Sequence, residues 1–105
     1  MKVLILSCAE GEFAEAVDYY NEQCAGLGYD LAAEIHRTLK RIQCHPTAWP
    51  TFSARTRRGL VDRFPFGVLD QVRTDCILVG AIMHLKRDPK RWQDRTRQAF
   101  SEGRR

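Results

Sequence analysis

The chain predicts an α+β fold: a small antiparallel-rich sheet in the order β-α-α-β-β-β-α, with an N-terminal helical hairpin packed on one face. Three features carry that expectation. Apolar residues between 13 and 42 recur at steps of three and four, the repeat shortens to two from residue 55, and Gly26, Gly28, Pro65 and Pro89 stand where the patterns break. The first period is that of a helix buried along one stripe, and the second that of a half-buried strand. At 105 residues the sequence supports one domain, 1–105, with one modest core.

The apolar run from Val3 to Leu6 reads as an N-terminal strand, too short for a signal-peptide core or a membrane span. Ser7-Cys8-Ala9-Glu10 fits the capping box S-x-x-E, which predicts a helix start. Phe13, Ala16, Val17, Tyr20 and Cys24 share one face of that helix, while Glu12, Glu15, Asp18 and Glu22 point elsewhere. Gly26-Leu27-Gly28 predicts a tight reversal, one glycine closing the first helix in a left-handed conformation. The second helix is expected over residues 29–43, with Leu31, Ile35, Leu39 and Ile42 as its buried stripe.

Pro46 and Pro50 bracket Trp49 in a loop, residues 45–53, and the tryptophan is expected to cover the edge of the core. Beyond it, residues 55–62 alternate as a strand. Phe64-Pro65-Phe66-Gly67 turns the chain, residues 68–72 make a second strand, and residues 76–83 make a third. The last run is apolar almost throughout, which predicts a central strand. Arg55, Arg57, Arg58, Arg63, Arg73 and Arg87 would then line or rim a partly open second face. Asp88 before Pro89 predicts the N-cap and first turn of a terminal helix. The tail, residues 101–105, has no apolar residue and is expected to be loosely ordered.

Charge is divided along the chain. Residues 1–35 hold one lysine against seven acids, whereas residues 36–105 hold sixteen Lys and Arg against six. Such a division suits an electropositive face for nucleic acid or an acidic partner, or a solvated surface with segregated charges. The cysteines at 8, 24, 44 and 76 lack the spacing of a zinc site and are expected to be free buried thiols. No metal or cofactor is expected. His36 and His45, in an Arg- and Lys-rich region, read as surface or packing residues.

Taken in order, these features resemble the RelE/ParE superfamily of type II toxin-antitoxin toxins, which includes plasmid stabilisation proteins. The resemblance rests on Ser7 and Ala9 before the first helix, Tyr19-Tyr20, the Gly26–Gly28 turn, and Pro46 with Trp49-Pro50. It continues through the arginines before Phe64-Pro65-Phe66 to His84-x-x-Arg87-x-Pro89-x-x-Trp92 and Arg95, spanning residues 3–97. It implies a cytoplasmic, growth-inhibiting toxin, neutralised in a hetero-oligomer by a cognate antitoxin. The cellular target it implies is either DNA gyrase, bound without catalysis, or the ribosome with its mRNA, which RelE-like members cleave.

Cleavage would need a base, an acid and cations against the developing phosphorane charge. If the chain is a nuclease, His84, Arg87 and Arg63 are the catalytic candidates. Arg55, Arg57, Arg58, Arg63 and Arg73 are the candidates for holding nucleic acid or a protein partner, since a guanidinium grips phosphate or carboxylate bidentately. His84 and Arg87 also have a structural reading, in which the imidazole bonds a backbone carbonyl and Trp92 packs the Arg87 guanidinium. All three tyrosines lie in the helical hairpin, away from the C-terminus where RelE-type nucleases carry one. That departure favours the gyrase-binding expectation over mRNA cleavage. A third expectation is a non-toxic protein that only binds an antitoxin.

Overall fold

Lys2–Ile5 forms β1, and the chain then turns into α1 (Ser7–Gln23) and returns as α2 (Leu27–Cys44). Four strands follow, β2 (Thr51–Ser53), β3 (Thr56–Leu60), β4 (Phe66–Val72) and β5 (Cys76–His84), before α3 (Pro89–Ser101). This computed structural model describes residues 1–53 and 55–101. The tail expected to be loose lies, beyond Ser101, outside the described residues.

The strands make one mixed sheet in the order β1-β5-β4-β3-β2, parallel between β1 and β5 and antiparallel elsewhere. The fold class is the expected one. The segment read as a loop contributes the three-residue edge strand β2, paired with β3 through an irregular register. Trp49, just before it, packs as expected against the core, over Gly59: a Cβ there would lie 2.9 Å from the indole Nε1.

The helical hairpin covers one face. The whole α2 stripe (Leu31, Ile35, Leu39 and Ile42) is buried against Val68, Ile77, Val79 and Ile82 of the sheet. Full burial of each such side chain stabilises by about 1.5–3 kcal/mol, so this stripe dominates the local energetics. The two helices approach closely at Gly28, whose N–H donates to Asn21 Oδ1 at 2.8 Å and whose added Cβ would stand 2.1 Å from the Val17 carbonyl oxygen. Gly26 is left-handed, with φ 90°, but it opens α2 instead of closing α1, which ends in extended backbone at Cys24.

The expected capping box does not form. Leu6, just past the end of β1, is the N-cap of α1 and donates to the Val79 carbonyl at 2.9 Å, so Ser7 already lies inside the helix. At the other terminus the expectation holds: Asp88 Oδ1 accepts the Lys90 N–H at 2.9 Å, and the helix begins at Pro89.

The second face is less open than the sequence suggests. Trp92 and Phe100 of α3 pack on Leu69, Ala81 and Met83, forming a smaller second core. A bulge in β5 makes this possible. Leu69 pairs with Ala81 while Asp70 pairs with Val79, leaving Gly80 as the extra residue. Leu78 and Ala81 belong to the α3 side, whereas Val79 and Ile82 belong to the hairpin side, so the alternation changes phase at the bulge. Gly80 is required there, since a Cβ would meet Phe100 at 2.7 Å and Ala99 at 2.8 Å. The cysteines are free but not buried: Cys8, Cys24 and Cys44 are exposed and Cys76 is half-buried.

Candidate functional site

β1 is shorter than β5, and this difference creates the site. The parallel pairing ends at Ile5 and Val79, so β5 runs on to His84 with its β1-side edge uncovered by any strand among the described residues. The Ile82 N–H turns to that edge and donates to Glu12 Oε1 of α1 at 3.0 Å. Arg95 of α3 reaches the same oxygen in an ion pair at 2.8 Å. Glu12 thus ties together a helix on one face, the helix on the other and the open edge between them.

A groove of about 360 Å³ lies along this edge. Its α1 wall is Glu12, Glu15, Ala16, Tyr19 and Tyr20, and Ile82, Met83 and His84 of β5 face them, with Phe66 and Arg87 also lining the groove. The floor is aromatic: Tyr20 meets Phe64 and Phe66 edge to face at 5.5 and 6.0 Å, and Tyr19 meets Tyr20 at 5.4 Å. Tyr19 is 57% exposed, so an apolar surface is presented at the mouth.

His84 stands against Phe66, with ring centroids 5.4 Å apart. Its Nδ1 accepts the Lys86 N–H at 3.0 Å, which assigns the proton of the neutral ring to Nε2. The histidine therefore pins the turn after β5 by accepting from a backbone N–H, where the sequence suggested a donor to a carbonyl. Glu12 is likewise committed, to Ile82 and Arg95. What remains for a ligand is an aromatic and aliphatic trough with Arg87, the His84 Nε2–H, two tyrosine hydroxyls and Glu15. Such a trough suits an extended or helical peptide segment with apolar anchors better than a small molecule.

No protein-family model and no curated protein matches this sequence. A solved structure does: a chain from the chromosomal ParDE TA system from P. aeruginosa superposes with a TM-score of 0.74, at 17% identity, over 82% of this chain and 97% of that one. The two chains share one fold. At this identity the likeness is one of fold, and the side chains must be judged on their own geometry.

Within this fold the arginines expected to bind together are dispersed. Arg57 lies on the hairpin side of β3 and donates to the Trp49 carbonyl. Arg58, one residue on, lies on the α3 side, its guanidinium 4.9 Å from the Phe52 ring centroid and 5.1 Å from that of Trp92. It is therefore Arg58, and not Arg87, that Trp92 packs. Arg63 adopts a left-handed φ of 71° and pairs with the buried Glu34 at 3.2 Å. Arg73 donates to Gln71 Oε1 and, at 3.4 Å, to the Phe100 carbonyl. Arg55 is exposed in the turn before β3.

Of the three catalytic candidates, His84 and Arg87 share the groove, and Arg63 does not line it. Sequence reasoning missed that Glu12, Glu15, Tyr19 and Tyr20 line the same groove as His84. Their signal was available: 12, 15, 16, 19 and 20 form a continuous stripe on a 3.6-residue helix, beside the apolar stripe that faces the core. Among the described residues no group of three or more His, Cys, Asp or Glu could hold a metal, and no helix is long and apolar enough to cross a membrane.

Proposed function

We propose that this chain is the toxin component of a type II toxin-antitoxin module. In this reading it acts in the cytoplasm as a growth inhibitor, supports plasmid stabilisation, and is held inactive in a hetero-oligomer with a cognate antitoxin. The observation that carries this reading is the fold it shares with the ParDE chain over most of both molecules. A groove of the size and apolar character found beside β5 supports a peptide partner. Within this reading, action by binding DNA gyrase is favoured over catalysis. Phosphoryl chemistry needs several cations aimed at one phosphate, and here Arg57, Arg58, Arg63 and Arg73 are each engaged at a different place.

One observation favours a second reading, ribosome-dependent mRNA cleavage. His84 and Arg87 share a groove with Tyr19 and Tyr20, so an imidazole, a guanidinium and two phenols are gathered within one cavity.

Expression of the chain alone, and together with the product of a short neighbouring gene where the genome carries one, separates the readings. Growth arrest with induction of the DNA-damage response, relieved by the neighbouring protein, is the expected result. Arrest with cleaved mRNA that is lost in His84→Gln would establish the nuclease instead. Normal growth together with tight binding of the neighbouring protein would leave a non-toxic antitoxin-binding role and overturn the toxin assignment.

A further inference from the structure

Among the described residues two carboxylates are buried, Glu34 and Asp70, and Asp70 is the one that no ion pair compensates. It lies in the middle of β4, 0% exposed, and neither carboxylate oxygen has a hydrogen-bond partner. A buried polar group in this state is costly, and an ionised one more so, unless something compensates it. Its cross-strand partner on β3 is Arg57. That guanidinium does not bond the carboxylate: its Nη1 donates to the Trp49 carbonyl, fastening the Trp49 segment onto the sheet above Gly59.

Among the described residues, the surroundings of Asp70 leave Arg57 as its single charged counterpart. The partner residue on β5 is Val79, which carries no charge. Of the charged side chains on the helices over that face, Glu34 is held by Arg37 and Arg63, Arg41 by Asp62 and Glu12 by Arg95. His45, in the segment leading to Trp49, is exposed. Burial pushes the Asp70 carboxyl up to about 7, with the Arg57 charge opposing the rise.

We infer that Asp70, Arg57 and the Trp49 segment form a proton-dependent latch. With Asp70 protonated, Arg57 is free to hold the Trp49 carbonyl and the segment is closed. When Asp70 ionises, the guanidinium turns to the carboxylate across the strand pair, where a desolvated charge has no other partner. The Trp49 carbonyl then loses its donor, and the segment loosens. Trp49, Pro50 and Thr51 are also one wall of a cavity of about 270 Å³ completed by Phe52, Arg58 and Leu60, so release of the segment opens that cavity.

The test is NMR on the full chain, following the Asp70 carboxyl carbon and the two tryptophan indole N–H signals between about pH 5 and pH 9, a range that brackets ordinary histidine titration. The expected result is one shared midpoint for Asp70 and Trp49, with no matching shift at Trp92. In Asp70→Asn the Trp49 signal should stay at its low-pH position throughout, and in Arg57→Gln it should stay at a released position. His45→Gln should leave the wild-type curve unchanged. A Trp49 signal that stays still while Asp70 titrates, an Asp70 midpoint in the ordinary carboxylate range, or a Trp49 titration abolished by His45→Gln would each overturn the latch. The wild-type measurement decides even if a variant fails to fold.

Discussion

Arg63 Nη1 lies 3.2 Å from Glu34 Oε2, and this contact ties the loop after β3 to the middle of α2. Arg37 reaches the same oxygen at 2.8 Å, so a carboxylate only 7% exposed is compensated by two guanidinium groups. The backbone of Arg63 is left-handed, at φ 71°, a conformation that costs a non-glycine residue. The most economical account of that conformation is structural: it aims the side chain at Glu34.

Removing one partner from each side of this contact should therefore have unequal effects. Glu34→Ala leaves two arginines without their shared acceptor and is expected to cost about 1–3 kcal/mol in urea denaturation. Arg63→Ala should cost only about 0.5–1 kcal/mol, because the guanidinium is largely exposed and Arg37 remains. If Arg63→Ala abolished the growth phenotype at unchanged stability, Arg63 would belong to the working surface after all.

Asp70 should make stability depend on pH in a direction opposite to most carboxylates. Its folded value, about 7, stands above the ordinary 3.8, so the folded protein binds the proton more tightly than the unfolded chain. The stabilisation is full below the ordinary value, declines as pH rises towards 7, and is constant beyond it. The difference in stability between Asp70→Asn and wild type should accordingly grow in favour of the variant across that window. Chemical denaturation at a series of pH values measures it, and a difference independent of pH would refute the assignment.

Two glycines offer a paired test of the helical hairpin. At Gly28 a methyl group would stand 2.1 Å from the Val17 carbonyl, so Gly28→Ala must push α1 and α2 apart and is expected to cost about 1–3 kcal/mol. At Gly11 nothing lies within 4 Å, and the residue is exposed inside α1. Gly11→Ala should stabilise by about 0.5–1 kcal/mol through helix propensity alone. Thermal melts of the two variants should move in opposite directions.

Trp92 joins the second core to Arg58, and its substitutions should separate packing from the cation-π contact. Trp92→Ala is expected to cost about 3–5 kcal/mol, enough to release α3 from the sheet. Arg58→Ala should cost about 0.5–2 kcal/mol, the range of a partly desolvated cation over aromatic rings. A double-mutant cycle with no coupling between Arg58 and Trp92 would show that their 5.1 Å approach is incidental.

Local patterns in the amino-acid sequence determined the elements of this protein. The buried stripe of α2, the helix start at Asp88 and Pro89, and the covering role of Trp49 follow from periodicity, capping chemistry and side-chain character. Even the separation of Arg57 from Arg58 was implicit in the two-residue repeat of β3. Only the tertiary structure decided which stripes meet. The groove exists because β1 stops at Ile5 while β5 continues to His84, which leaves an edge for Glu12, Tyr19 and Tyr20 to face. The phase change at Gly80, which gives α3 its own face, depends on how β4 and β5 register against each other. Periodicity records which side of an element is apolar, but strand length, register and bulges set the long-range neighbours. The charge imbalance between the two parts of the chain therefore did not disclose that its arginines would be dispersed over several contacts.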